Sequence, residues 1–399
     1  CTRMGLVVVS DHYVLLTGAK NNAGDFLIVS RARALLAHMR PDRELKELPR
    51  WKPFSDDDLQ LANSARALLL VGGPGVRRNM RPELYPMAES LRTIKVPIVT
   101  MGLGWKSTDV NWEGVRKYSF NEDTLELLSR IDSSGYLSSV RDYRTLHVLL
   151  RYGFRSFVMT GCPALFQTDK NRDRRRADGN QSDHVAFSVG ANFAKDADVE
   201  EQTRELILRL RDRNAKRLPV VVYFHHSLDE SYLGTHGANV RLFEAQQRLS
   251  TWLAHEGVHF ADVSGDEAEL IERYQRAAIH VGYRVHAHIL MSSMNKSSIL
   301  IAEDGRGAAL REVLGGYVFP AYGSPIGSDV APSVLRRLTD AVRGRQLPRS
   351  AAASPEDLWK DVEAALDYDS KHGQPAVQET TSRVAERLRV MSAFLRQLP

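Results

Sequence analysis

Cysteine is almost absent from this chain: Cys1 and Cys162 are the only two in 399 residues. Two cysteines without ligand-like spacing exclude a disulfide framework and make a reducing cytoplasm the default compartment. Long apolar runs are missing too, and none approaches the ~20 residues that a membrane-spanning helix requires. The opening segment, Cys1-Thr2-Arg3-Met4-Gly5-Leu6-Val7-Val8-Val9, lacks a full signal-peptide pattern, and Met4 is the expected natural start because Cys1 is an unusual first residue. Charge of one sign is modest, with a net +5 and an isoelectric point near 9.1. Acidic and basic residues interleave, so nucleic-acid binding is not demanded. A site for anionic substrates, or loose attraction to an anionic membrane face, accounts for the excess equally well. Gly18-Ala19-Lys20-Asn21-Asn22-Ala23-Gly24-Asp25 is neither a Gly-x-Gly-x-x-Gly dinucleotide loop nor a P-loop, because the Lys-Ser/Thr ending is missing.

What is present is soluble, globular and alternating. Apolar residues make up 43% and charged residues 26%, ordinary values for a folded protein whose length suits two α/β domains. In the first half, strand-like segments at His12–Gly18, Ala67–Val71, Val96–Met101, Gly135–Ser139 and Phe157–Met159 alternate with helix-like stretches at Asp25–His38 and Asp142–Leu150. In the second half, strands are expected at His184–Val189, Val220–Phe224, Val258–Val263, Ala277–Val281 and Ser298–Ala302, with helices at Glu200–Arg213 and Val240–His255. Strands alternating with helices imply parallel, doubly wound sheets. The charged stretch Asp169–Asn180 breaks the rhythm and reads as a solvated linker rather than a phosphate-binding arginine run. The expected division is therefore 1–170, a linker at 171–182, 183–345, and a tail at 346–399 whose closing helical periodicity, Thr381–Leu398, suits a helix packing back across both domains.

Chemistry-bearing residues gather where strands end, the edge at which open α/β sheets bind ligands. Gly282-Tyr283-Arg284-Val285-His286-Ala287-His288 follows one buried run, and Glu303-Asp304-Gly305-Arg306 follows another. Helix N-termini there add N–H donors and partial positive charge, which suits phosphate or carboxylate; a merely basic first helical turn is the plain alternative. Asn22 and Asp25 lie at a capped turn, with Asp25 either a cap or a presented carboxylate. Ser139 and Arg141 could donate to an anion, or Arg141 could pair with Asp142 on the surface. His225 and His226 end another strand, where adjacency turns them to opposite faces so that at most one, His226, faces a site. A zinc site from His225, His226, His286 and His288 lacks supporting spacing, so no metal is expected.

Taken in order, these pieces resemble the polysaccharide pyruvyltransferase family. Asn22-Ala23-Gly24-Asp25 is similar to its Asn-x-Gly-Asp turn, and Val71-Gly72-Gly73-Pro74-Gly75 to its glycine-rich strand end. Ser139-Val140-Arg141-Asp142 matches its Ser-Val-Arg-Asp segment, and Arg284-Val285-His286 its Arg-x-His element. Asp304-Gly305-Arg306 falls where the family usually carries Asp-x-Lys, so Arg306 keeps the charge but not the ammonium geometry. The resemblance implies two Rossmann-like domains facing a cleft, like the glycosyltransferase-B fold. It implies transfer of pyruvate from phosphoenolpyruvate to two hydroxyls of a saccharide, as a ketal, without a further cofactor. Its acceptors are envelope polysaccharides or lipid-linked precursors, which suits a cytoplasmic protein at most peripheral to the inner membrane face. Homo-oligomerisation and acceptor identity stay open.

Such a donor carries about three negative charges near neutrality, and Arg284, Arg306 and Arg141 are the cations best placed for it. His286, as a group titrating near neutrality, is the expected general acid toward the enol methylene, and Asp25 the group that orients or deprotonates a sugar hydroxyl. Ser139, Asn22 and His226 complete the expected binding set. Two alternatives remain: a glycosyltransferase using a nucleotide sugar on the same fold, and a non-catalytic glycan-binding protein.

Overall fold

The computed structural model describes residues 11–18, 22–106, 112–168, 182–233, 239–265, 267–323 and 351–399. Met4, Asn21, nearly all of the expected linker and the start of the expected tail lie outside these residues. Twelve strands and twelve α-helices follow in order among the described residues. In the first half these are β1 His12–Thr17, α1 Ala23–Met39, β2 Glu44–Pro49, α2 Asp56–Ser64, β3 Ala67–Val71, β4 Ile98–Met101, α3 Trp112–Lys117, α4 Glu122–Asp132, β5 Ser138–Val140, α5 Tyr143–Arg151 and β6 Phe157–Met159. The second half has β7 His184–Ser188, α6 Ala197–Asn214, β8 Val220–Phe224, α7 Val240–His255, β9 His259–Asp262, α8 Glu267–Arg276, β10 Ala277–Gly282, α9 Val285–Ser293, β11 Ser297–Ala302, α10 Gly305–Leu314 and β12 Tyr317–Pro320. Two further helices close the chain, α11 Pro355–Lys371 and α12 Pro375–Arg396.

Every strand pair is parallel, in two larger sheets and a two-stranded one. The first runs β2-β1-β3-β4, and the β5-β6 pair continues it through Gly102 N donating to Ser139 O at 3.0 Å. The second runs β12-β11-β10-β7-β8-β9, the doubly wound Rossmann order. Central strands β1 and β3 are buried at every position, because helices cover both faces and leave no solvent side to a parallel sheet. Their continuous Val, Leu and Ala runs made them legible in sequence. Strand β2, Glu-Leu-Lys-Glu-Leu-Pro, was not expected: it is a half-exposed edge that pairs only with β1 and has no apolar run. Strand β12, at the opposite edge of the second sheet, and helix α11 were also not anticipated.

The two sheets reverse their winding at one point each, between β1 and β3 and between β7 and β10. Crevices open outside the carboxyl ends of the strands at such points. The halves meet there, tied by Arg144 of α5 to Glu312 of α10 at 2.9 Å. Helix α12 packs on α1, α9 and α10, and beyond it Leu398 O and Pro399 O accept from Arg40 Nη1 and the Tyr13 hydroxyl, both at 2.7 Å. The chain's last helix thus lies against both halves. No helix among the described residues is long and apolar enough to cross a membrane.

Candidate active site

The switch point of the second sheet builds half of the site. Gly282 ends β10 with φ at 149°, and a Cβ there would lie 2.5 Å from Ser188 O of β7. Only glycine permits that approach, and it turns the chain into Arg284, which precedes the first turn of α9. Arg284 Nε donates to Val189 O at 2.7 Å and its Nη2 to Gly190 O at 3.1 Å, while Nη2 also meets His226 Nδ1 at 2.5 Å. Burial pushes the guanidinium down to about 10, opposed by Glu303. That carboxylate is itself half-buried, raised by desolvation, and held by the Ala191 and Asn192 N–H groups at 3.0 and 2.8 Å. Among the described residues, no acceptor is found for Arg284 Nη1.

From the first half, Arg141 leaves β5 and is only 1% exposed. Its guanidinium lies across Gly104, where a Cβ would come within 2.4 Å of Cζ. Nε reaches Asp142 Oδ2 at 3.4 Å, whereas Nη2 is buried without a hydrogen-bond partner among the described residues. Asp142 caps α5 through Thr145 N at 2.7 Å, so the pair is internal rather than a surface contact.

His286 sits in the first turn of α9 and packs directly on the first half: a Cβ on Gly24 would be 2.1 Å from its Nδ1. Nε2 is buried with no partner among the described residues. Burial pushes the imidazole down to about 4; Asp25 acts to raise it, and Arg141, Arg306 and Arg284 act to lower it. This corrects the expectation of a free-state histidine titrating near neutrality, since sequence shows neither the burial nor the three converging cations. Asp25, 6% exposed in α1, stands in the same seam. Arg306 forks onto Asp304 through Nε at 2.8 Å and Nη2 at 2.6 Å, and its charge reaches both Asp25 and His286.

The remaining expected residues take other places. Asn22 caps α1, its side chain accepting from Gly24 N at 3.0 Å. The Ser139 hydroxyl accepts from Gly102 N at 2.8 Å and meets Thr160 Oγ1 at 3.0 Å, so it locks β5 to the β4 loop instead of offering a donor to a ligand. His225 turns away to the Tyr274 hydroxyl at 2.8 Å, and His226 supports Arg284. Among the described residues no group of three or more His, Cys, Asp or Glu side chains is placed to hold a metal ion. The sequence placed Glu303 and Asp304 in the run that signalled Arg306 but gave them no role: Asp304 holds Arg306, and the charge of Glu303 acts on Arg284.

The combination is a set of guanidinium charges around a desolvated imidazole, with uncommitted donors on Arg141 and Arg284 and a carboxylate opposite. It can bind a small multiply charged anion and exchange a proton with it. The sequence pattern of the family described as polysaccharide pyruvyl transferase matches residues 22–305, which includes Asp25, Arg141, Arg284 and His286 and ends one residue before Arg306. No curated protein matches the sequence. Among solved structures, a protein of Listeria monocytogenes described as a UDP-N-acetylglucosamine 2-epimerase is similar at 10% identity and a TM-score of 0.50, covering 96% of this chain and 97% of that one. A UDP-GlcNAc 2-epimerase of Methanocaldococcus jannaschii is 8% identical at a TM-score of 0.48, covering 86% and 95%. At such identity the first likeness speaks to the fold alone, two facing Rossmann-like domains of the glycosyltransferase-B kind.

Proposed function

The chain belongs to the polysaccharide pyruvyl transferase family, and we propose that it moves pyruvate from phosphoenolpyruvate onto two hydroxyls of a saccharide, forming a ketal and releasing phosphate. The observation that carries this reading is the convergence of Arg141 from one half and Arg284 and Arg306 from the other on His286. Three cations match a donor bearing about three negative charges near neutrality, and the uncommitted N–H groups of Arg141 and Arg284 suit its phosphate and carboxylate oxygens.

In this scheme His286 takes up a proton as the anion arrives and delivers it to the enol methylene. A sugar hydroxyl adds to the carbon bearing the phosphate and loses its proton to Asp25. Phosphate then departs with its bonding pair as the second hydroxyl attacks, and the second hydroxyl proton leaves with phosphate or through Asp25. Transfer to a saccharide makes the enzyme a transferase of polysaccharide synthesis, with no cofactor beyond the donor.

The test is phosphate release from phosphoenolpyruvate in the presence and absence of saccharide acceptors. Acceptor-dependent release, lost in Arg284→Ala together with donor binding, supports the proposal. Retention of a nucleotide sugar with no response to phosphoenolpyruvate would overturn it in favour of glycosyl transfer.

A further inference from the structure

The switch point of the first sheet faces the site just described, and it carries cations that the donor does not use. Arg50 directly follows β2 and is 5% exposed. Its guanidinium lies over the carboxyl ends of both strands flanking the switch. A Cβ on Gly18, after β1, would be 2.1 Å from Arg50 Cζ, and one on Gly73, after β3, would be 3.3 Å from Nη1. Arg77, in the loop that follows, is half-buried, and its Nε is buried without a hydrogen-bond partner among the described residues. Among the described residues neither arginine makes an ion pair within 4.0 Å. The two charges act on each other and on the wholly buried Tyr85. Lys106, exposed at the surface, extends the cluster toward the second half; partial desolvation lowers it first, then Arg77 and Arg306.

A buried guanidinium, Arg50, beside a half-buried one, Arg77, on which Glu83 acts without an ion pair among the described residues, is unfavourable unless something negative joins them. If Arg50 served only to cover the glycines, an uncharged side chain would do so without that cost. We propose that this switch point is a second anion subsite, in which Arg50 and Arg77 hold the phosphate or diphosphate of a phosphorylated saccharide acceptor. Two guanidinium forks and a nearby ammonium suit two or three negative charges better than a single carboxylate. Asp25 joins the subsites: its Oδ1 lies 4.0 Å from where a Gly73 Cβ would be, and its charge also bears on His286. An acceptor anchored by its phosphate on Arg50 and Arg77 would present its sugar hydroxyls over Asp25, facing the donor. The subsite deepens the pyruvyl-transfer reading and rests on it for the word acceptor, but its anion binding stands by itself.

The experiment titrates inorganic pyrophosphate into the protein by calorimetry, alone and with saturating phosphoenolpyruvate. Binding should persist when the donor is saturating. Arg77→Gln should weaken it at least about tenfold, the loss expected for a desolvated charge-assisted contact, while leaving phosphoenolpyruvate affinity unchanged. Arg50→Lys, which keeps the buried charge and loses the fork, should also weaken it. Arg284→Ala should do the reverse, losing the donor and keeping pyrophosphate. Parallel titrations with uridine diphosphate and geranyl diphosphate then separate a soluble nucleotide carrier from a prenyl one, the tighter binder naming the carrier. Displacement of pyrophosphate by phosphoenolpyruvate, or equal affinity in Arg77→Gln, overturns the subsite. If the protein fails to bind phosphoenolpyruvate at all, the titration without donor still reads Arg50 and Arg77, so the two proposals fail separately.

Discussion

Proton uptake on donor binding is the most direct readout of His286. In the empty site burial and the Arg141, Arg306 and Arg284 charges push its imidazole down to about 4, so it is neutral at the pH of a cell. On the proposed reading, bound phosphoenolpyruvate would cancel those cations. One negative charge about 4 Å away, at an effective dielectric constant of about 20, is worth about 4 kcal/mol. At about 1.4 kcal/mol per pH unit this lifts the imidazole by about three units, to near 7. At pH 6 the group would pass from almost no occupancy to roughly 0.9 proton when the donor binds. Calorimetry at pH 6 in buffers of different ionisation enthalpy counts that uptake. Subtracting the value for His286→Gln removes the protons released by the ligand itself and leaves about 0.9 for the histidine. The variant should bind the donor yet lose about 10²–10⁴-fold in turnover, because glutamine cannot deliver a proton. Identical uptake in parent and variant, or turnover within a few-fold of the parent, refutes the role.

Other consequences can be read separately. His286 and His288 are both held near 4 by burial, below the ordinary histidine value of 6.5. An unfolded chain binds protons there first, so their stability contribution is complete above about pH 6.5 and is lost as pH falls toward 4, up to about 3 kcal/mol for each. The melting temperature should fall across that window, and His288→Asn should flatten the slope; an unchanged slope speaks against a neutral buried His288. Gly24→Ala places a methyl group 2.1 Å from His286 Nδ1, so turnover should fall by about 10²-fold or more in a protein that still folds, as steady-state kinetics and circular dichroism would show. Arg306→Lys should keep donor affinity within about tenfold, because charge is retained and only the fork onto Asp304 is lost, whereas Arg306→Ala should abolish it in the same titration.

Legibility in the sequence followed apolar runs. Arg141, Arg284 and Arg306 each come within a few residues of a buried strand, β5, β10 or β11, so the strand-end rule located them. Arg50 follows β2, whose alternating charges carry no apolar signal, and Arg77 lies in the loop after β3; neither could be seen until the sheet was assembled. Ser139 looked like a donor because strand position does not reveal which neighbour a hydroxyl meets, and Gly102 N had already claimed it. The acidity of His286 was misjudged for a related reason. Its value depends first on burial at the seam, then on charges such as Arg141 that are distant in sequence and close only across that seam.

The last helix has a mechanical consequence. The covalent chain crosses once from the first sheet to the second, and α12 returns so that Arg40 and Tyr13 grip the segment after it. Arg387 within the helix adds a contact to the Tyr143 hydroxyl at 3.3 Å. With Arg144 paired to Glu312 and His286 packed on Gly24, the halves are held at several places along one seam. The alignment of Arg141 and His286 across that seam is therefore inherited from the route of the chain.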